Sequence, residues 1–143
     1  MPRRVRRAVL AALWLAACAQ APGDAEIAGR YRHAGPIAAT LEVRPEDGGY
    51  RVRLEGGGST GAGAASAADC VVEARGELTG GVLRARFGPV ETEGFAYGAA
   101  QAAEEARTVE IVFEPQAALV VAADTFGYCG LEAGFAGRYG RVD

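Results

Sequence analysis

The fold of this chain is decided by residues 41–55, which read Leu41-Glu42-Val43-Arg44-Pro45-Glu46-Asp47-Gly48-Gly49-Tyr50-Arg51-Val52-Arg53-Leu54-Glu55. On both sides of the central turn, apolar residues alternate with charged ones, and a period of two is the pattern of a half-buried β-strand. The Asp-Gly pair within the turn suits a tight hairpin. The stretch therefore predicts two antiparallel strands joined by a short turn.

Strand patterns continue on either side of this hairpin. Short strands joined by hairpin-length polar turns indicate an antiparallel meander. We expect an all-β fold, a small antiparallel eight-stranded meander barrel, with a β-sandwich as the alternative. The eight strands are predicted over residues 28–33, 37–44, 50–55, 70–75, 81–87, 108–114, 117–123 and 135–142.

The first and last predicted strands share a triplet, Gly29-Arg30-Tyr31 and Gly137-Arg138-Tyr139. In a closed up-and-down barrel these two strands pair and no edge is left exposed. The shared triplet therefore favours closure. The interior of an eight-stranded barrel is either nearly filled by side chains or holds one small ligand.

The N-terminus has the pattern of an export signal. Four arginines precede an apolar run over residues 8–17, which ends in Leu15-Ala16-Ala17-Cys18. A basic head, a short apolar segment and small residues before a break mark such signals, and the run is about half the length that a spanning helix needs. The last four residues resemble the lipobox of bacterial lipoproteins. The resemblance implies a signal peptide at 1–17, acylation of Cys18, a tether over 18–27 and a single domain over 28–143.

This resemblance also implies where the protein resides. Ala19 follows the cysteine, where lipoproteins of the inner membrane often carry aspartate. We therefore expect a lipid-anchored protein of the cell envelope, in the outer membrane and facing the periplasm. A lipoprotein cysteine typically carries three acyl chains, and stable anchoring takes at least two hydrophobic attachments. The acyl chains alone then provide the membrane contact.

The assignment of Cys18 to the lipid leaves Cys70 and Cys129, an even pair in a compartment that permits disulfides. We expect them to bond and to close a loop of about 60 residues, worth about 4 kcal/mol in the chain-entropy model. Two buried free thiols are the alternative. Two cysteines and His33, the single histidine, fall short of the four ligands of a structural zinc site, so no metal is expected.

Charge narrows the range of partners. The chain has no lysine, and removal of the four signal arginines leaves eleven arginines against eighteen acidic residues, a net charge of −7. A phosphate backbone needs a basic face, so nucleic acid is not an expected partner. An acidic surface favours a basic protein partner, although many proteins are acidic only to stay in solution.

The glycine-rich segment from Gly56 to Gly61 matches the pattern G-x-G-x-x-G. A dinucleotide site needs a crossover of ten or more residues before a parallel return strand, and only about seven residues separate Gly61 from the next predicted strand. Without lysine, a phosphate loop of the G-K-[ST] kind is excluded. We therefore interpret residues 56–68 as a flexible loop and expect no nucleotide and no cofactor.

No catalytic constellation is apparent. His33 stands outside any recognisable motif, and Ser59 and Ser66 lie in the glycine- and alanine-rich loop without an oxyanion partner. Paired carboxylates can hydrolyse glycosidic bonds, but nothing in the sequence holds two of them across a cleft. We expect no enzymatic activity.

The longest predicted connection, residues 88–107, is the candidate binding loop, because connections of this length are often functional. Its candidate binding residues are Glu91, Glu93, Phe95 and Tyr97. Aromatic anchors beside acids on a loop suit contact with a basic protein. The alternative is that Phe95 and Tyr97 form one more strand and pack in the core. Residues 99–106 have the composition of about two helical turns.

The C-terminal sequence, residues 124–131 and 135–139, resembles the tail of small bacterial envelope proteins, in which a Cys-Gly pair precedes a Phe-x-Gly-x-Tyr strand. Some of those domains resemble periplasmic lysozyme-inhibitor lipoproteins. The sequence therefore suggests a non-catalytic binding or inhibitor domain. The alternatives are a structural or assembly lipoprotein of the envelope and a lipocalin-like carrier of a small apolar ligand.

Overall fold

The structure, a computed structural model, describes residues 24–59, 70–129 and 134–143. The predicted signal peptide, Cys18 and Ser66 lie outside the described residues. The described part contains ten strands and two short helices. They are α1 (Asp24–Ile27), β1 (Gly29–His33), β2 (Ile37–Glu46), β3 (Gly49–Ser59), β4 (Cys70–Thr79), β5 (Val82–Phe87), β6 (Val90–Thr92), β7 (Phe95–Tyr97), α2 (Ala99–Glu105), β8 (Thr108–Glu114), β9 (Ala117–Ala123) and β10 (Gly137–Arg141).

Eight of these strands form a closed antiparallel barrel in the order β1-β10-β9-β8-β5-β4-β3-β2. They are the eight strands that the sequence predicts, so the prediction of a small eight-stranded meander barrel is confirmed. Closure comes from the pairing of β1 with β10, in which Tyr31 lies opposite Arg141 and His33 opposite Tyr139. The remaining two strands, β6 and β7, form a separate hairpin between β5 and β8.

The barrel interior is filled by side chains. Alternate residues of every barrel strand face inward, as the period of two requires. Fourteen of these side chains are at most 2% exposed: Tyr31, Leu41, Val43, Val52, Leu54, Val72, Ala74, Leu83, Ala85, Val109, Ile111, Ala118, Val120 and Tyr139. The core is therefore a packed hydrophobic layer along the barrel axis.

The two ends of the barrel differ in construction. At one end, which we call the hairpin end, tight turns at 47–48, 80–81 and 115–116 join neighbouring strands, and α1 leads into β1. At the other, the loop end, lie the end of β3, the start of β4 and the connection 88–107, together with residues 124–129 after β9. Asp24 therefore lies at the hairpin end.

The shared Gly-Arg-Tyr triplets belong to longer repeats that close the two ends of the barrel. Each triplet is preceded by a buried apolar residue and alanine, Ile27-Ala28 before the first and Phe135-Ala136 before the last. The Tyr31 hydroxyl donates to the Ile27 carbonyl at 2.8 Å, and the Tyr139 hydroxyl donates to the Phe135 carbonyl at 2.8 Å. Because β1 and β10 are antiparallel, Ile27 covers the hairpin end and Phe135 the loop end.

Helix α1 lies within the segment that the sequence suggests as a tether. Ile27 is 1% exposed and joins the core. Arg141 binds this turn from the last strand, because its guanidinium donates to the Ala28 carbonyl at 3.0 Å and also to the Glu26 carbonyl. Residues 24–27 are therefore packed and hydrogen-bonded against the end of the barrel.

Strands β3 and β4 continue beyond their predicted ends, and each contains a glycine in the added part. Residues 56–59, expected as loop, continue β3, and a register shift between Ala38 and Ala39 marks an irregularity opposite Gly56. Gly56 has φ +104°, and a Cβ there would lie 2.1 Å from the Ala38 carbonyl oxygen. Gly76, expected in a turn, is part of β4. A side chain does not fit at this position, because a Cβ there would lie 1.8 Å from the Arg84 carbonyl oxygen. Close strand approach, and not chain flexibility, explains these glycines.

The predicted disulfide is present. Cys70 at the start of β4 is bonded to Cys129, with 5.3 Å between their Cα atoms and a separation of 59 positions in the sequence. Both residues are buried. The bond therefore attaches the segment before β10 to the loop end of the barrel wall.

Candidate functional site

The outer wall of β2, β3 and β4 carries a lattice of arginines and glutamates. At its centre Glu73, 8% exposed, accepts from Arg51 at 2.9 Å and also from Arg53. Hydrogen bonds from these guanidinium groups to the Glu73 carboxylate raise the pKa of Arg51 and of Arg53. Glu42 similarly accepts from Arg44, which lowers the pKa of that carboxyl. These charges are paired with one another across the wall, so the wall offers little net field.

The loop end is different, because its acids outnumber its arginines. Five of the described carboxylates lie in the connections 88–107 and 124–129, against one arginine; the rest of the described chain has eleven carboxylate side chains and ten arginines. Most of the net negative charge of the described domain is therefore at this end. The residues are Glu91, Glu93, Glu104, Glu105 and Asp124, with Arg107.

The four predicted binding residues separate into two pairs. Phe95 and Tyr97 lie on β7 and turn inward: Tyr97 is 2% exposed, and Phe95 is half-buried. Glu91 and Glu93 are exposed, on β6 and in the turn after it. The two aromatic residues therefore pack the loop end, and the two acids face solvent.

Both aromatic rings pack on Tyr128, which lies at the centre of an aromatic cluster. The Tyr128 ring centroid lies 4.8 Å from that of Tyr97, 5.1 Å from that of Phe95 and 5.2 Å from that of Phe87, each in an edge-to-face arrangement. The Tyr128 hydroxyl donates to the Val71 carbonyl at 2.9 Å. Edge-to-face pairs are favourable for aromatic rings at these separations. The cluster fixes the segment around residue 128 to β4 and to the β6–β7 hairpin.

Arg107 holds the turn that precedes Tyr128. Its Nη1 donates to the Phe126 carbonyl at 2.7 Å and to the Asp124 carbonyl at 3.0 Å. Its Nε donates to Glu105, which raises the pKa of Arg107 and lowers that of Glu105. The guanidinium carbon lies 5.7 Å from the centroid of the Tyr128 ring. The Arg107 side chain, which is 15% exposed, thus binds two carbonyl groups of the same turn.

The turn itself is closed by backbone hydrogen bonds. The amides of Tyr128 and Cys129 both donate to the Thr125 carbonyl, at 2.9 Å and 3.1 Å. Gly127 adopts φ +70°, a backbone conformation that residues other than glycine rarely take. The disulfide follows directly at Cys129. Phe126 stands within this turn and is 81% exposed.

Phe126 is the most exposed of the large hydrophobic side chains in the described part of the protein. Leu119 and Val121 on β9 are 37% and 49% exposed, and Val142 near the C-terminus is 54% exposed. Sequence reasoning missed Phe126, because alternation does not apply to a turn and only the nearby Gly127 and Cys129 hinted at a held conformation. Solvent exposure of that ring became visible only in the structure.

His33 lies at the loop end of β1. Its ring packs edge-on against Tyr139, with 5.0 Å between centroids. Its Nδ1 accepts from the Gly35 amide at 2.9 Å, and its Nε2 lies 3.3 Å from the Ala136 carbonyl oxygen. The Nδ1 contact requires the proton on Nε2, which then donates to the carbonyl. Nδ1 thus holds the connection that follows β1, and Nε2 joins β1 to the residue before β10.

Four tyrosines have phenol pKa values above the ordinary value, chiefly because burial disfavours the phenolate: Tyr31, Tyr97, Tyr128 and Tyr139. For Tyr97 the neighbouring Glu105 carboxylate adds to the effect, since a second negative charge nearby is unfavourable. These groups are neutral, hydrogen-bonded parts of the packing.

Residues 24–59, 70–129 and 134–143 contain no group of three histidine, cysteine, aspartate or glutamate side chains placed to hold a metal ion. Across the same residues, no helix has the length and apolar character required to cross a membrane. The clefts on the outer wall include one of about 310 Å³, lined by Glu42, Arg44, Arg51, Arg53 and Glu73. Its lining is the paired charge lattice described above.

Comparison of the chain with protein-family models, with curated proteins and with solved structures finds no match.

Proposed function

We propose that this protein is a lipid-anchored, non-catalytic binding domain of the bacterial cell envelope, which contacts a basic protein partner through the loop end of its barrel. The observation that carries the proposal is the placement of charge: the acidic excess and the exposed Phe126 share one end of the barrel, whereas most charges on the β2–β4 wall are paired with one another. Acidic surfaces attract basic partners and raise the rate of encounter.

The geometry of attachment supports the same use of the two ends. If Cys18 is acylated, six residue steps separate it from Asp24, and a chain of that length spans at most about 20 Å. The hairpin end, where Asp24 joins the domain, is then held close to the bilayer. The loop end points away from the membrane and is available to a partner in the adjacent aqueous compartment.

Two other functions have less support. A lipocalin-like carrier needs an open interior, whereas Tyr31, Tyr139 and twelve aliphatic side chains fill this barrel along its axis. A structural or assembly lipoprotein does not require an excess of charge at one end of the barrel. The acidic excess at the loop end therefore favours binding of a protein partner.

The anchor is tested by metabolic labelling with an alkyne-bearing fatty acid. Full-length protein should incorporate the label and remain with membranes after a carbonate wash, because three acyl chains hold it there. The Cys18→Ser variant should do neither. Equal labelling of the two proteins would disprove acylation at Cys18.

The binding surface is tested with the 19–143 fragment immobilised through a C-terminal tag, since Arg141 lies at the hairpin end and the loop end is then free. A C-type lysozyme serves as the basic probe and tests the inhibitor form of the proposal, and an acidic protein of similar size serves as its control. Retention of the basic probe should weaken in Glu91→Gln/Glu93→Gln and persist in the matched control Asp47→Asn/Glu77→Gln, which removes the same two charges at exposed positions away from the loop end. Equal loss in both variants would indicate net-charge attraction without a defined surface.

A further inference from the structure

We infer that Phe126 is the anchor residue of the partner contact, and that the partner presents an apolar pocket bordered by lysine or arginine side chains. This inference rests on the proposed function and assigns its recognition element. The candidate residues from the sequence, Phe95 and Tyr97, are occupied in packing against Tyr128. Phe126 is the aromatic residue that the fold directs to solvent at the same end.

The Phe126 ring gains little burial when the domain folds, so nearly all of its apolar surface is available to a partner. An aromatic ring buries a large area when it enters a pocket, and aromatic residues are enriched at the cores of protein interfaces. Phe126 is 81% exposed, although the neighbouring Thr125 and Tyr128 are 5% and 7% exposed. The turn therefore buries the residues on both sides and leaves this one side chain outside.

The turn is also rigid, which lowers the cost of binding. Arg107 holds the carbonyls of Asp124 and Phe126, the Thr125 carbonyl accepts two amides, and Cys129 is bonded to β4. A segment that is ordered before binding loses less conformational entropy when the partner arrives. The backbone under the ring is thus already in place in the free protein.

Charge defines the surroundings of the pocket that Phe126 enters. Asp124 is exposed two residues before the ring, and the exposed carboxylates Glu91, Glu93 and Glu104 belong to the connection that packs beside it. A second copy of this chain would bring the same acids against them, and an anionic lipid surface would meet like charge. A protein with basic residues around an apolar pocket complements both features.

The test uses the full-length protein in its native envelope, with a photo-crosslinking residue at one position at a time. The substitution Phe126→p-benzoylphenylalanine puts the reactive group at the proposed anchor. Glu93→p-benzoylphenylalanine places it elsewhere at the loop end, and Val121→p-benzoylphenylalanine is the control at an exposed apolar position on the wall. Adducts are identified by mass spectrometry of the crosslinked peptide.

The expected result is an adduct at position 126 with a protein whose crosslinked segment carries net positive charge, and none at position 121. With the crosslinker at 93, the change Phe126→Ala should lower adduct yield at least tenfold, in line with the loss of an aromatic hot spot. The control change Leu119→Ala should leave the yield unchanged. Both side chains are exposed, so neither change is expected to unfold the barrel.

Each of the other results overturns the inference. A basic-protein adduct at 93 with no adduct at 126, or with a yield that Phe126→Ala does not alter, leaves the proposed function in place and removes Phe126 as its anchor. Adducts at 126 with lipid or with a second copy of this chain exclude the stated partner. The absence of any adduct at both 93 and 126 removes the proposed function as well.

Discussion

Replacement of Tyr139 by phenylalanine removes one buried hydroxyl and leaves the ring in place. Tyr139 is 0% exposed, and its hydroxyl donates to the carbonyl of Phe135, a residue that is 1% exposed. The variant leaves a buried carbonyl without this donor, and such a loss costs about 1–3 kcal/mol. We take about 2 kcal/mol as the expected loss in the free energy of unfolding. For a domain of this size, about 4 °C of melting temperature corresponds to 1 kcal/mol, so the midpoint should fall by about 8 °C.

The assay is urea unfolding of the 19–143 fragment with its disulfide intact, followed by circular dichroism. The midpoint should decrease with no change in the m-value, because the surface exposed on unfolding is the same. Tyr31, at the other end of the barrel, provides a second variant for comparison. Tyr31→Phe removes the equivalent hydroxyl, which donates to Ile27 and also accepts from Arg141 at 2.9 Å. Since that contact involves a charged donor, the loss should be at least as large.

Free energies of unfolding within about 0.5 kcal/mol of the unchanged protein in both variants would contradict this expectation, since that difference is below the cost of an unpaired buried carbonyl. In that case the repeated hydroxyl-to-carbonyl bonds at the two barrel ends would not contribute to stability. A loss only in Tyr31→Phe would assign the effect to Arg141 and not to the repeat.

Three further predictions concern the disulfide, alkaline pH and strand contact. The double change Cys70→Ala/Cys129→Ala opens a loop of about 60 residues and should lower the free energy of unfolding by about 4 kcal/mol; reduction of the unchanged protein should have a similar effect, and equal stability of the two forms would contradict it. Burial raises the pKa of four tyrosines, so the folded state binds more protons than the unfolded state above pH 10 and stability should fall as pH rises from there. Phenolate absorbance at 295 nm from these four residues should then rise together with unfolding; ionisation of all five tyrosines of the chain near pH 10 in a protein that stays folded would refute this. Gly76→Ala should prevent correct pairing of β4 with β5, because its Cβ would meet a backbone oxygen at 1.8 Å, whereas Gly140→Ala, with open space around it, should be tolerated; similar thermal midpoints for the two variants would show that the strands adjust.

The sequence was most informative where side chains alternate. The pattern around Val52 and Leu54 depends only on the local geometry of a strand, in which successive side chains point to opposite faces. All eight barrel strands carry enough of this pattern to be located, although their ends are not. The ends of a strand depend on the neighbouring strands with which it pairs. Gly76 belongs to β4 because the Arg84 carbonyl approaches it from β5, and such a contact between strands cannot be read from the sequence.

The candidate site was predicted less completely. Composition and connection length drew attention to residues 88–107, which form the β6–β7 hairpin and α2. The orientation of an aromatic side chain in such a segment depends on what packs against it. Phe95 and Tyr97 turn inward because Tyr128, distant in sequence, lies beside them.

By itself, the sequence determined the strand periods, the number of barrel strands and the pair of cysteines available for a disulfide, since all of these follow from residue spacing and composition. Tertiary structure alone decided which ends of the barrel hold the tight turns and which hold the acids, and which aromatic residue is exposed. The physical reason is that exposure is a property of packing between distant segments. Phe126 is outside because Arg107, Thr125 and Cys129 together hold its turn against the barrel, and that arrangement exists only after the chain has folded.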